Sequence, residues 1–181
     1  MSQFALALQQ LADETGERID ALNRKAVMLA AQGLVLKSPV GNPELWAANA
    51  EATYGRQMHN AFAEAAGKRR MSQKKLKQTY PLQAGKGYVG GRFRGNWQFG
   101  LGTLNATTTE TTDAQGDATL AKIDAAVAGV KAGGVCWVTN SLPYAHRLEN
   151  GWSKQAPIGM TRVTFAELPT QLQRYLQSLP R

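Results

Sequence analysis

Residues 65 to 109 carry nine basic side chains and no acidic one, and this concentration of charge constrains the chain more than any other feature. The nine are Lys68, Arg69, Arg70, Lys74, Lys75, Lys77, Lys86, Arg92 and Arg94. The whole chain holds 21 basic and 13 acidic residues, so without these nine it is close to neutral, and the net charge of +8 is a property of this one stretch. The stretch reads as a long exposed loop, and charge concentrated in this way expects an acidic partner, either a phosphate backbone or an acidic protein surface.

The remainder has enough apolar material for one domain. Hydrophobic residues make up 43% of the 181 residues. Residues 3 to about 32 read as one helix, with Phe4, Leu8, Leu11, Ile19, Leu22, Ala26 and Leu29 forming an apolar stripe and Gly33 as a stop. Packing of that stripe in the chain's own core is expected over packing on a neighbouring subunit. Residues 38–43 form a turn-rich exit, residues 44–66 look helical, and residues 67–91 look like loop. A threonine-rich strand is expected over 97–112. A helix capped at Gly116-Asp117 and carrying Leu120, Ile123, Val127 and Val130 follows. Next come a strand at 135–140, a short helical turn at 144–150, a strand at 160–165 and a last helix at 170–179.

The expected fold is α+β: a small, mostly antiparallel sheet with a long N-terminal, a middle and a C-terminal helix, in a single domain over 1–181 with an insertion at about 44–86. No apolar run is long enough for a membrane span. The N-terminal segment has no basic region ahead of an apolar one and does not read as a signal peptide. The single cysteine, Cys136, excludes an internal disulfide and a cysteine-built zinc site, and a reducing cytosol is the expected folding compartment.

A search for catalytic groups gives little. Cys136 and His146, oriented by Asn140, have the composition of a nucleophile and its base. Cys136, however, lies between Val135 and Trp137 in an apolar strand, the setting of a buried small hydrophobe. His59 and His146 have no metal-ligand spacing, and Gly85, Gly87, Gly90 and Gly91 lack the Gly-Lys-Ser/Thr ending of a phosphate loop. A non-enzyme without cofactor or metal is expected. The basic stretch is interleaved with Tyr80, Tyr88, Phe93 and Trp97, the composition of single-strand binders, but without a recognised nucleic-acid motif. Lys68, Arg69, Arg70, Lys74, Lys75, Lys77 and Lys86 are the candidate contacts to nucleic acid or an acidic partner.

Two segments carry a resemblance. One is Ser38-Pro39-Val40-Gly41-Asn42-Pro43, resumed by Gly87-Tyr88-Val89-Gly90-Gly91-Arg92-Phe93-Arg94-Gly95-Asn96-Trp97. The other runs from Val138 through Asn140, Pro143-Tyr144-Ala145 and Leu148-Glu149-Asn150-Gly151, followed by Ala156-Pro157-Ile158-Gly159-Met160. Together they resemble the neck or tail-completion family of long-tailed bacteriophages. The resemblance implies a non-enzymatic virion protein that assembles in the host cytoplasm. It implies a homo-oligomeric ring, hexameric in preference to dodecameric, at the head–tail junction, with the head connector, the tail tube and genomic DNA in the channel as partners and no membrane. Arg92, Arg94, Trp97, Tyr144, Arg147 and Glu149 become candidate subunit-interface residues, with Arg92, Arg94 and Glu149 as inter-subunit ion pairs. In many relatives the Pro-Val turn runs almost directly into the Gly-Arg-Phe-Arg segment; here an insertion at about 44–86 intervenes, with most of the positive charge at its end. The alternative is a soluble basic nucleic-acid-binding module.

Overall fold

The computed structural model describes residues 3–84 and 88–179, without the side chains of residues 3–5, 7 and 8. Lys86 lies outside the described residues, as do Gly85 and Gly87 and the side chains of Phe4 and Leu8. The chain divides into two compact units, one made of residues 41–90 and the other of the segments before and after it.

The larger unit is α+β. It contains α1 (Gln3–Lys37), β1 (Gln98–Leu101), α4 (Asp117–Val127), β2 (Cys136–Thr139), α5 (Ala145–Glu149) and α6 (Thr161–Ser178); α2 (Ala50–Ala65) and α3 (Gln73–Thr79) belong to the smaller unit. The two strands pair antiparallel, Gln98 opposite Thr139 and Leu101 opposite Cys136. Two strands are marginal alone, and these lean on α4. Gln98 is buried, its Oε1 accepts from Lys122 Nζ of α4 at 2.6 Å, and Phe99 and Val138 pack against the core. That core joins Ala31, Leu34 and Val35 of α1 to Phe93, Trp97, Ile123, Val127, Leu142 and Met160.

The buried face of α1 is thus its last two turns. Leu11 and Ile19, expected to be core, are 61% and 46% exposed, and all described side chains up to Ile19 are exposed. The helix also runs through Gly33 to Lys37. Gly33 is not a stop but a contact: a Cβ there would lie 2.5 Å from Thr164 Cγ2 of α6. A glycine inside a helix costs about 1 kcal/mol relative to alanine; here it permits the close approach of α1 and α6.

Two expected strands are corrected. Residues 161–165 are the first turns of α6, which continues through Pro169. Their β-branched and aromatic composition is overruled by a cap from outside the helix and by packing on α1. Of the expected strand over 97–112, only Gln98–Leu101 pairs. The threonine segment is held instead by Asn96, whose Nδ2 donates to the Arg92 and Thr109 carbonyls (2.7 and 3.0 Å) and whose Oδ1 accepts from Thr109 N–H (2.7 Å). Gly116 does occupy the N-cap position of α4, at φ +90°, but has no side chain to cap with. Asp113 supplies the carboxylate, accepting from the Gly116 and Thr119 N–H groups and the Thr119 hydroxyl at 2.7–2.8 Å.

The smaller unit is a helical hairpin. It contains α2 (Ala50–Ala65), preceded by two 3-10 turns, and α3 (Gln73–Thr79), which sits where loop was expected. Ser72 caps α3, accepting from Lys75 N–H at 3.3 Å. Asn60 exchanges two hydrogen bonds with the Met71 backbone (2.7 and 3.0 Å), while nearer the start of α2 Arg56 Nε donates to Tyr80 O at 2.8 Å. Residue 71 beside 60 and residue 80 beside 56 make the helices antiparallel. Gly55 lets the Tyr80 ring lie against α2; a Cβ would meet it at 2.5 Å. Among the described residues of this unit only Ala63 and Leu76 are buried and apolar, so polar ties do much of the holding. Buried Asn49 binds the carbonyls of Pro43 and Gln83 and accepts from Gln83 N–H.

Candidate functional site

Within the larger unit, Ser38, Arg94, Trp97 and residues 156–159 of the resemblance segments lie about the C-terminal end of α1. Trp97 is 6% exposed; its Nε1–H donates to Ser38 Oγ at 2.7 Å, and that hydroxyl donates to Leu34 O at 2.7 Å. Arg94 reaches the same helix end. Its guanidinium donates to the carbonyls of Leu36 (3.0 Å), Ser38 (2.7 Å) and Ala114 (2.7 Å). A cation on the C-terminal carbonyls of a helix satisfies orphan acceptors and opposes the negative end of its dipole. Burial lowers the Arg94 pKa, with the Asp113 charge acting the other way, and the group remains a cation. Burial alone would push Asp113 up, but its bonds from Thr119 and Gly116 and the Arg94 charge bring it below the ordinary value.

Glu149 plays the complementary part at α6. Its Oε2 accepts from the Met160 and Thr161 N–H groups at 3.0 Å each, and its Oε1 from Arg162 N–H at 3.2 Å. Burial raises its pKa, and the bonds from Thr161, Met160 and Arg162 outweigh that and lower it. The glycines around it are steric requirements. Gly159, at φ +83°, would place a Cβ 2.3 Å from Glu149 O, and Gly151, at φ +81°, would place one 2.3 Å from Pro157 O. The Leu-Glu-Asn-Gly and Pro-Ile-Gly-Met segments are therefore two halves of one latch. Asn140 completes it, donating to Phe93 O at 2.8 Å. A cleft of about 270 Å³ lies between the end of α1, Arg94 and residues 155–159.

Of the six candidate interface residues, Arg94, Trp97 and Glu149 thus spend their polar groups inside the chain. Arg92 is exposed and ion-paired to Glu110. Tyr144 packs against Phe93 with centroids 5.9 Å apart and the rings tilted by 40°, and the Arg147 guanidinium lies 4.3 Å over Trp152, which is 70% exposed. Trp152, Asp113 and Ser38 were not singled out as site residues from the sequence. Asp113, placed just ahead of a Gly-Asp helix start, was the most readable of the three.

Cys136 is half-buried in β2, and burial raises its thiol pKa. Asn140 is committed to Phe93, His146 shares hydrogen bonds with Asn150, and among the described residues no hydrogen bond joins Cys136 to His146. No group of three or more metal-ligating side chains occurs among the described residues, and none of their helices is long and apolar enough to cross a membrane.

The six described candidate cations fall on the helical hairpin. Lys68, Arg69 and Arg70 lie in the turn after α2, and Lys74, Lys75 and Lys77 on α3; all six are exposed. Leu76 is the buried residue of α3, so Lys75 and Lys77 flank the outward face and Lys74 lies across from it. Among the described residues only Arg70 of the six has an acidic partner, Glu64, at 3.8 Å with both side chains exposed. No protein family, curated protein or solved structure matches this chain.

Proposed function

We propose that this chain is a non-enzymatic virion structural protein that forms a homo-oligomeric ring at the head–tail junction of a long-tailed bacteriophage, joining the head connector to the tail around the DNA channel. Six subunits are favoured over twelve. The observation that carries the reading is α1. Its last two turns anchor the core, while Leu6, Leu11 and Ile19 on the preceding turns are left uncovered by the chain itself. Apolar side chains on a helix that outruns its own domain are satisfied by a neighbouring subunit or layer, and in a ring each such contact is heterologous and recurs at every interface. The motif residues support the same reading: Arg94, Asp113 and Glu149 lock helix ends, as a load-carrying part requires. Arg92, Arg147 and Trp152 are exposed, and contacts between subunits are assigned to them. Reconstruction of the head–tail junction from electron micrographs of intact particles tests the proposal. A ring of this chain at the junction supports it; absence of the chain from the particle overturns it.

A further inference from the structure

We propose that the α2–α3 hairpin binds the phosphate backbone of nucleic acid without reading base sequence. The inference rests on the hairpin's own charge and geometry, and holds for a ring subunit and a free chain alike.

The cations are presented on a scaffold. Asn60, Arg56 and Tyr80 tie α3 to α2, so Lys74, Lys75 and Lys77 project from a braced helix and Lys68, Arg69 and Arg70 from the turn that closes it. His59 Nδ1 and the Tyr80 hydroxyl, 2.9 Å apart, add a further tie. Charge is segregated along the hairpin. Glu44 and Glu51 lie at the end away from the turn, and Glu44 is occupied by Arg56 at 3.5 Å. At the turn itself Glu64 answers Arg70 alone.

The composition of α3 selects the class of partner. Apart from buried Leu76 its residues are Gln73, Lys74, Lys75, Lys77, Gln78 and Thr79, all exposed and polar. A protein interface needs a desolvated apolar or aromatic anchor and is depleted in lysine, and a membrane-surface helix needs an apolar face. The face of α3 offers neither; the hairpin's exposed Tyr54 and Phe62 are on α2. The α3 face suits a strong, regular, hydrated line of negative charge, where each contact releases a counterion and no apolar burial is required.

The test is fluorescence anisotropy of a short labelled DNA duplex, titrated with the full chain over a range of salt. Six cations set an upper limit of about 5 on the slope of log affinity against log salt, so affinity should fall by about 10²- to 10³-fold from about 50 to 200 mM salt. The triple variant Lys74→Gln, Lys75→Gln, Lys77→Gln should lose about 3 units of that slope. The control triple Arg18→Gln, Lys154→Gln, Arg174→Gln removes the same charge from exposed positions of the other unit and should leave binding nearly unchanged. Should the first triple lose helical circular dichroism, Lys68→Gln with Arg69→Gln, outside both helices, replaces it. Equal loss in the control triple overturns the proposal, as does a slope near zero. Binding of phosphatidylserine vesicles or polyglutamate as tight as that of the duplex overturns it in favour of a lipid or acidic-protein partner.

Discussion

Glu149→Gln should destabilise the larger unit by about 2 kcal/mol at pH 7, and the loss should vanish in acid. The wild-type carboxylate accepts three N–H groups at the start of α6, two on Oε2 and one on Oε1. A glutamine keeps one oxygen for the Met160 and Thr161 pair but turns an NH₂ toward Arg162 N–H. One bond to a charged acceptor is lost, worth about 1 kcal/mol at this half-buried site. The anion at the positive end of the α6 dipole goes too, worth up to about 1 kcal/mol. For a chain of this size the sum corresponds to a fall in Tm of about 4–8 °C. The pH dependence has a definite sign. The folded-state pKa of Glu149 lies below its ordinary value. Its stabilisation is therefore complete above the unfolded pKa of about 4.3 and is lost as pH falls through the lower, folded value. Urea unfolding of both proteins, followed by helical circular dichroism from pH 7 down to acid, measures the difference directly. A difference below about 0.5 kcal/mol at pH 7, well under the sum built from these bonds, would refute the capping argument. So would one of the same size at acid pH.

Three further outcomes follow from particular contacts. Gly33→Val should cost about 2–3 kcal/mol by overpacking, because its first added carbon already meets Thr164 Cγ2 at 2.5 Å; adding Thr164→Ala should restore part of the loss in the same unfolding assay. Asn96→Ala should cost about 2–4 kcal/mol, since it leaves the Arg92 and Thr109 carbonyls and the Thr109 N–H without their partner at a fully buried site; increased proteolysis within 103–112 would report release of that segment. Leu11→Asp with Ile19→Asp should change the chain's own unfolding by less than about 0.5 kcal/mol, as both side chains are exposed, yet reduce the assembled mass measured by light scattering; unchanged assembly would remove α1 from the interface.

The sequence by itself determined the helical character of the two ends and the middle, the short strand at Cys136–Thr139, the turn at Ala145–Glu149 and the exposure of Lys68, Arg69, Arg70, Lys74, Lys75 and Lys77. These are decided by local periodicity, by β-branched runs and by charges that resist burial. Tertiary structure alone decided the rest. Gly33 reads as a stop until Thr164 is seen beside it. Met160–Phe165 reads as a strand until a carboxylate eleven to thirteen residues earlier in the chain caps its N–H groups. Lys74–Thr79 reads as loop because its own residues hold one apolar side chain, and it is helical because Ser72 and Asn60 hold its start while Arg56 and Tyr80 hold its end. Arg94 and Glu149 read as surface charges because their partners are backbone atoms, Leu36 and Ser38 carbonyls for one and the first N–H groups of α6 for the other. Backbone groups have no letter in a sequence, so a charge that serves them is recognised only when the chain has folded them into reach.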